Sequence, residues 1–256
     1  MTHRALILDF DGTVLDTETP ACESTAQIWA GYGLELPMDW WLEGMGTDRK
    51  STWVEELETR VGRRLNRNSL LQARQQIKNR MTEEQTVLPG VAALLEAATR
   101  RGISTAIGSS SPHAWVDQHM KRVGLYEQFS HIVCRDDVGG VSKPAPDVFI
   151  RALDLLEVDA GAAAVVEDSP NGLKAAIAAG LRTVVVPNPL VKSLDFRVPS
   201  PDLKDLTNCR RTHSSTCFSN RGDTKTGFVQ LTEGTFSEKL VLLTQVFQPP
   251  PSPDRA

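Results

Sequence analysis

The sequence predicts an α/β fold: a core built on a parallel sheet, with an α-helical cap subdomain inserted into it. Two observations support this fold class. Short apolar runs rich in β-branched or small residues alternate along the chain with segments of helical periodicity. A long stretch near the N-terminus, by contrast, has helical periodicity throughout and contains no strand candidate. The alternation is typical of a Rossmann-like core, in which helices cover both faces of the sheet.

Four or five apolar runs are predicted to be strands buried on both faces. Helical segments lie between them, and glycines follow two of these segments as stop signals. The predicted strands are Ala5–Leu8, Ser104–Ile107, His131–Cys134, Ala163–Val166 and Thr183–Val186, with a last strand and turn at Val198–Leu206. The predicted helices of the core are Val91–Arg101, Pro146–Leu156 and Leu173–Ala179.

The chain divides into three predicted parts. Residues 1–17 and 87–206 form the Rossmann-like core, and residues 18–86 form the helical cap. Residues 207–256 are an atypical C-terminal extension, rich in Thr, Ser, Gly and Arg, whose composition is compatible with disorder. Within the extension, only Lys239–Phe247 has the pattern of an amphipathic helix or strand.

The composition excludes several classes of protein. Of the 256 residues, 40% are hydrophobic and 23% charged, which is ordinary for a globular domain. The net charge is −4 with both signs interspersed, so neither nucleic acid nor a membrane surface is an expected partner. The four cysteines lie far apart, which favours reduced thiols and a cytoplasmic location. We expect a monomer or a weak dimer.

Two acidic residues, Asp9 and Asp11, follow the first predicted strand. Carboxylates at i and i+2 point the same way, into the crevice beyond the strand ends where open parallel sheets bind ligands. Gly12 allows a sharp turn there, and Thr13 offers a hydroxyl. Taken alone, this motif is equally compatible with a turn that has no function.

Polar residues also follow three other predicted strands, which makes a functionless turn a poor explanation. A loop with a hydroxyl suits a phosphate, and a lysine at the same edge can neutralise a phosphoryl group. A second acidic pair facing the first would be repelled unless a cation lay between them, and oxygen ligands favour Mg²⁺. The residues are Ser109 with Ser110, Lys143 before Pro144, and Glu167 with Asp168.

In this order, the four motifs resemble those of the haloacid dehalogenase superfamily, in the subfamily of β-phosphoglucomutase-like and phosphatase-like hydrolases with an inserted helical cap. The resemblance extends from about residue 4 to about residue 206. The motifs are Asp9-Phe10-Asp11-Gly12-Thr13, Ser109, Lys143 within Ser142-Lys143-Pro144-Ala145-Pro146-Asp147, and Glu167-Asp168-Ser169-Pro170-Asn171-Gly172.

The resemblance implies a Mg²⁺-dependent phosphatase that acts on a small phosphorylated metabolite. Asp9 would be the nucleophile that forms an aspartyl-phosphate, and Asp11 the general acid and base. The implied Mg²⁺ ligands are Asp9, Asp168 and the backbone carbonyl of Asp11. The implied phosphate-binding residues are Ser109, Ser110 and Lys143, of which Lys143 also holds Asp9, and the supporting residues are Thr13, Glu167 and Asn171.

The chief alternative is a sugar phosphate mutase of the β-phosphoglucomutase type. Mutases of that type carry a histidine shortly after the first motif and a phosphate-binding arginine in the cap loop. This chain has Ala21 and Thr47 at those places, and Arg49 could replace the arginine if the alignment shifted by two. Without a second phosphate anchor, a bisphosphate intermediate is hard to hold, so the sequence favours the phosphatase.

Three further activities are disfavoured. Haloacid dehalogenases lack the second aspartate and the metal, whereas this chain has both Asp11 and Asp168. A phosphonatase would use a cap lysine, but Lys50 and Lys78 are expected to be surface residues. A non-catalytic regulatory protein that binds phosphate is disfavoured because every catalytic position is filled.

The cap and the loop after the second motif are expected to select the substrate. Ser111 is expected to cap a helix that has Pro112 as its first residue. The tryptophans Trp40, Trp41 and Trp53 are expected to lie in the core of the cap. The candidate specificity residues are Gly44, Met45, Gly46, Thr47, Arg49 and His113.

Overall fold

A six-stranded parallel sheet forms the centre of the protein, with the strand order β3-β2-β1-β4-β5-β6. The structure is a computed structural model that describes residues 4–44, 52–188, 190 and 228–230. This sheet confirms the predicted α/β class. The strands are β1 (Ala5–Leu8), β2 (Ser104–Gly108), β3 (His131–Val133), β4 (Ala163–Glu167), β5 (Arg182–Val185) and β6 (Phe228–Gln230).

The α-helices of the described residues fall into two groups. The first group follows β1 and has no strand between its members, and the second group alternates with the remaining strands. The first four helices are α1 (Glu18–Ala30), α2 (Met38–Gly44), α3 (Trp53–Val61) and α4 (Arg67–Glu83). The remaining helices are α5 (Val91–Arg100), α6 (His113–Arg122), α7 (Asp147–Leu156) and α8 (Pro170–Ala178).

The alternation of side chains along β1 creates one hydrophobic core on each face of the sheet. Leu6 and Leu8 are fully buried in a cluster that includes apolar residues of α5 and α6. Ala5 and Ile7 are buried on the other face, in a cluster that includes apolar residues of α7 and α8. With both faces covered, the strands are apolar throughout, which is why they could be predicted as short continuous runs.

The register of the strands brings the residues that follow them to one edge of the sheet. Ala5 of β1 is paired with Ser104 of β2 and with Ala163 of β4. The carboxyl ends of these three neighbouring strands therefore lie side by side, with β1 in the middle.

The cap is formed by α1 to α4, which surround their own hydrophobic cluster. Trp29 and Leu57 are fully buried in it. Of the three tryptophans predicted to lie in the core of the cap, Trp41 and Trp53 are partly buried against this cluster, and Trp40 is half-buried. Thr52 and Glu55 form a capping box at the start of α3, because each side chain accepts a hydrogen bond from the backbone of the other.

Two connections join the cap to the core, and they lie against each other. Leu15 and Val87 form an antiparallel bridge, and the Leu88 N–H donates to the Val14 carbonyl at 2.9 Å. On the core side, the Arg122 guanidinium of α6 donates to the carbonyls of Thr82, Glu83 and Gln85, at and just beyond the end of α4. The exact domain boundaries, residues 17/18 and 86/87, stay a prediction.

The C-terminal extension differs from the expectation at one point. Phe228–Gln230, to which the sequence assigns no structure, pairs with β5 as the parallel edge strand β6. Three residues are too few to show a periodicity, so the strand has no signature in the sequence. The predicted elements Val198–Leu206 and Lys239–Phe247 lie outside the described residues. Within the described ranges, none of the helices combines the length and the hydropathy that crossing a membrane requires.

Candidate active site

Asp9 is the first residue after β1, and its position is fixed by the neighbouring strand. Its N–H donates to the Val166 carbonyl of β4 at 2.9 Å, so the ladder continues one residue beyond the strand. The chain then turns through Gly12, which has φ of 83°. A Cβ atom at Gly12 would lie 2.0 Å from Asp168 Oδ2, so only glycine allows this loop to approach the acidic residues after β4.

Lys143 lies between two carboxylates at the same edge of the sheet. Its Nζ donates to Asp9 Oδ1 at 2.5 Å and to Glu167 Oε1 at 2.7 Å. The three side chains are at most 9% exposed, so these charge-assisted bonds are shielded from water. Burial alone would lower the pKa of Lys143, but Asp9 and Glu167 raise it above its ordinary value and keep the ammonium charged.

Glu167 is held as a support for this arrangement. Its second oxygen, Oε2, accepts hydrogen bonds from the N–H groups of Asp168 and Ser169 and from the Ser169 hydroxyl. A Cβ atom at Gly172 would lie 1.8 Å from the Glu167 carboxylate, so helix α8 packs directly on it. Because one oxygen binds Lys143 and the other binds the loop, Glu167 orients both.

Three carboxylates form a cluster that fits a divalent cation. Oxygens of Asp9, Glu167 and Asp168 all lie within 4.8 Å of one another. Burial raises the pKa of Asp9 and of Asp168 well above the ordinary value, and the charge of Glu167 raises both further, although Lys143 opposes the shift. Three carboxyl groups share one ammonium group here, so a bound cation would offset the burial and repulsion that raise these pKa values. Carboxylate oxygens are the ligands that Mg²⁺ prefers, so the donor set suits the predicted ion.

The Asp11 carboxylate is turned toward the start of α6. The indole N–H of Trp115 donates to Asp11 Oδ1 at 2.9 Å, and the Ser111 hydroxyl donates to Asp11 Oδ2 at 2.6 Å. The expectation that Ser111 caps α6 is therefore wrong. The helix begins at His113 with Pro112 at the N-cap position, because the Ser111 side chain is engaged by Asp11.

The predicted phosphate-binding and supporting residues lie around these groups. Ser109 is fully buried, and its Oγ accepts a hydrogen bond from the Ser111 N–H at 3.0 Å. Ser110 Oγ accepts from the Lys143 N–H at 3.0 Å. The buried Thr13 hydroxyl has no hydrogen-bond partner among the described residues. Asn171, in the first turn of α8, lines the cavity described next.

A cavity of about 340 Å³ opens over the strand ends and is bounded on one side by the cap. Two cap residues that the sequence did not single out as site residues, Glu18 of α1 and Lys78 of α4, line it together with Asp9 and Asp11. Burial and the charge of Asp11 raise the pKa of Glu18 to about 7, and burial lowers the pKa of Lys78. The expectation that Lys78 is an ordinary surface lysine is wrong, because it is half-buried against the site.

The candidate specificity residues are not brought to this cavity in the described part of the chain. The His113 ring is bound at 3.1 Å by Asp117 and at 2.7 Å by Asp137, and it does not line the cavity. Gly44 is the last residue of α2. Met45, Gly46, Thr47 and Arg49 lie outside the described residues.

Similarity to known proteins agrees with this geometry. YhcW of Bacillus subtilis (strain 168), which bears a provisional phosphatase name, is 38% identical over 193 residues, 75% of this chain and 87% of YhcW. A Thermotoga maritima structure provisionally assigned as a β-phosphoglucomutase has a TM-score of 0.60 at 26% identity, covering 72% of this chain and 86% of that chain. CbbY of Rhodobacter sphaeroides, solved in complex with phosphate, has a TM-score of 0.57 at 28% identity, covering 76% and 91%.

The family follows from a match that covers more than half of the chain. Residues 6–186 match the model of the haloacid dehalogenase-like hydrolases, and this range contains all four motifs. The chain therefore belongs to the haloacid dehalogenase-like hydrolase family, as its motifs predicted.

Proposed function

We propose that this enzyme is a Mg²⁺-dependent phosphatase that hydrolyses a small phosphomonoester through an aspartyl-phosphate at Asp9. The observation that carries the proposal is the pairing of Asp9 Oδ1 with the buried Lys143 ammonium at 2.5 Å. An anionic carboxylate can approach an anionic phosphate only if nearby positive charge offsets their repulsion, which at short range in a partly dry site amounts to several kcal/mol. The provisional phosphatase name of the B. subtilis relative supports the same reaction class.

In the first step, an Asp9 oxygen attacks phosphorus and the bond from phosphorus to the ester oxygen breaks. Asp11 gives its proton to the leaving oxygen, so the alcohol departs neutral. In the second step, Asp11 takes a proton from a water molecule whose oxygen attacks the phosphorus. The bond to Asp9 then breaks, which releases inorganic phosphate and returns Asp11 to its protonated form.

Asp9 and Asp168, with the Asp11 backbone carbonyl, would hold the Mg²⁺ ion, and Glu167 would stabilise this set through Lys143 and the loop after β4. When bound, the ion supplies positive charge that the phosphoryl oxygens require in the transition state. Ser109, Ser110 and Lys143 are the proposed phosphoryl ligands, with Thr13 and Asn171 as supporting residues.

The cavity favours a small, polar substrate. A volume of about 340 Å³ is at the small end of the range for ligand sites, and the lining is mostly hydroxyl, carboxylate and ammonium groups. Glu18 and Lys78 face it from the cap, which is where the part of the substrate beyond the phosphate would lie. A phosphorylated polyol or sugar matches such groups better than an apolar ester does.

A mutase of the β-phosphoglucomutase type is the second candidate, because a structure provisionally assigned to that activity shares the fold at 26% identity. The position where mutases carry a histidine is occupied by Ala21, which is buried in α1. Alanine offers no polar group in place of that histidine, so the phosphatase is preferred. The cytoplasmic location and the monomeric or weakly dimeric state also stay predictions.

The proposal is tested by release of inorganic phosphate from a panel of sugar and polyol phosphates, with Mg²⁺ and with EDTA. We expect release that requires Mg²⁺ and disappears in Asp9→Asn. Asp154→Asn, an exposed aspartate of α7, is the matched control and should retain full activity. Phosphate release that persists in Asp9→Asn would refute the nucleophile. Conversion of β-glucose 1-phosphate to glucose 6-phosphate without net release would establish the mutase.

A further inference from the structure

Trp115 has no role in the reaction as written so far, yet it touches the proposed acid and base directly. The motif residues around it were predictable from their order, whereas this contact joins residues that are 104 positions apart. Trp115 is half-buried at the start of α6, and its indole N–H donates to Asp11 Oδ1 at 2.9 Å. A bond to an ionised carboxylate is stronger than a neutral one, so this contact can determine how Asp11 is oriented.

The Trp115 ring is itself held in place from two sides. Lys78 Nζ of the cap lies 4.4 Å from the ring centroid, a cation–π distance. The His119 ring packs edge-on at 4.3 Å between centroids and an interplanar angle of 72°. The donor is therefore mounted on a packed, rigid group, as a precise site requires.

The two partners of Asp11 differ in what they can do. An indole N–H only donates, whereas a serine hydroxyl donates or accepts. Because Oδ1 is bound by the indole N–H, the proton that Asp11 exchanges during the reaction is left to Oδ2. The Ser111 hydroxyl lies 2.6 Å from Oδ2. It can rotate to accept a hydrogen bond from a proton on Oδ2, or turn away so that this proton can pass to the substrate.

We propose that Trp115 is a positioning residue for Asp11: its indole N–H holds Oδ1 so that Oδ2, the oxygen beside Ser111, faces the leaving group and the attacking water. The inference rests on the proposed phosphatase function. Lys78 links this arrangement to the cap, because it covers the face of the same ring whose edge binds Asp11.

The first test exploits the dependence of acid catalysis on the leaving group. Trp115→Phe keeps an aromatic ring against Lys78 and His119 and removes the indole N–H together with the five-membered ring that carries it. We expect kcat on a sugar phosphate to fall about 10-fold, a part of the roughly 10²–10⁴-fold that general acid–base catalysis contributes, with KM nearly unchanged. Under single-turnover conditions, the rate of p-nitrophenolate release from p-nitrophenyl phosphate should stay within about two-fold of wild type, because that leaving group needs no proton.

A matched control separates this effect from the loss of any tryptophan N–H. Trp41 of the cap is partly buried, and its indole nitrogen has no hydrogen-bond partner among the described residues. Trp41→Phe should leave the rates on both substrates unchanged. Equal losses on both substrates in Trp115→Phe, or no loss on either, would overturn the proposal. If Trp115→Phe does not fold, Ser111→Ala is expected to give the same selective loss.

A second readout does not require turnover. The Trp115 indole N–H resonance, identified as the one missing in Trp115→Phe, should shift in Asp11→Ala, while those of the other four tryptophans stay in place. An unmoved resonance would refute the contact. This result is independent of Asp9, so it distinguishes failure of the Trp115 assignment from failure of the phosphatase proposal.

Discussion

The core and the cap each contain one cation between two carboxylates. In the core, Lys143 lies between Asp9 and Glu167 in a cluster that is almost entirely buried. In the cap, Arg67 donates to Glu55 at 3.0 Å and to Glu58 at 2.6 Å, and both Arg67 and Glu55 are 38% exposed. The two arrangements differ in their cations and in the exposure of those cations. Glu58 is only 7% exposed, but it also binds Arg64, which is 83% exposed, whereas the core carboxylates share the buried Lys143.

The carboxylates respond in opposite directions. The hydrogen bonds of Glu58 to Arg67 and to the Leu65 N–H lower its pKa to about 2. Burial raises the pKa of Asp9 despite its short bond to Lys143. Carboxylates paired with partly exposed cations keep a low pKa, whereas in the core burial outweighs the effect of Lys143 on Asp9 and Asp168. The proposed Mg²⁺ would relieve this cost in the core, and the cap has no comparable need of an ion.

The largest expected effect is that of Lys143→Met, which removes the positive charge from the buried cluster. We expect the free energy of unfolding to fall by about 3–5 kcal/mol, because carboxylates are left without their partner, and activity to be lost. Urea denaturation at pH 7.5 with EDTA measures the change. A loss no larger than that of Arg67→Met in the cap would contradict the comparison.

Mg²⁺ should stabilise the core next most strongly. At a concentration 100 times Kd, the gain is about 2.7 kcal/mol if the ion binds only the folded state. Because the pKa values of Asp9 and Asp168 are raised, protons compete with the ion, so the gain should be larger at pH 8 than at pH 5.5. Thermal denaturation with Mg²⁺ or EDTA measures it, and an undiminished gain in Asp168→Asn would rule out this site.

Glu18 lies where cap and core meet, and it should make stability depend on pH. Its pKa is raised from 4.5 to about 7, so the folded state holds the proton more tightly than the unfolded state. Stability should therefore fall as pH rises from about 4.5 to about 7, by about 1–2 kcal/mol for this partly exposed group. Urea midpoints of wild type and Glu18→Gln, taken with EDTA, should diverge over this interval. Glu23→Gln, an exposed change on the same helix, should follow wild type.

The smallest expected effect is that of Arg67→Met in the cap. Arg67 is partly exposed, and Glu58 keeps Arg64 as a second partner after the substitution, so the fall in unfolding temperature should be slight and turnover unchanged. The lowered pKa of Glu58 means that its contribution is present above about pH 4.5 and is lost as pH falls through about 2. The difference in unfolding temperature between Arg67→Met and wild type should therefore become smaller in acid. A difference that grows in acid would contradict the assignment to Glu58.

The sheet could be predicted because its strands are covered on both faces. The predicted run Ala5–Leu8 is β1 itself, and four further runs differ from β2 to β5 by a residue or so at an end. The motif residues could be predicted for the same reason, since parallel strands end at one edge. Strand β6 was missed, because an edge strand of three residues has no pattern of its own.

The contacts around Asp11 could not be predicted, although the sequence draws attention to Ser111 and Trp115 after the second motif and to Lys78 in the cap. Ser111 was assigned to a helix cap because the local rule is sound, but a long-range bond to Asp11 engages its side chain instead. Trp115 and Lys78 carry ordinary helix patterns, and their importance arises only from how α4 and α6 pack together. Glu18 and Lys78 reach the cavity because α1 and α4 of the cap both lie over the strand ends. Local sequence patterns therefore predict the polar residues at the strand ends, but they do not predict which distant helices contact each other.

The pairing of the two cap connections has an evolutionary consequence. Since Leu15 and Val87 are bridged and Leu88 binds Val14, the chain leaves and re-enters the core at nearly one point. We therefore expect that the predicted cap, residues 18–86, could be exchanged for that of a relative without moving the strand ends, provided that Arg122 still binds carbonyls of the returning helix and Trp115 keeps a partner such as Lys78. Such an exchange would replace the residues that face the cavity from the cap, Glu18 and Lys78, and leave the residues that follow the strands in place.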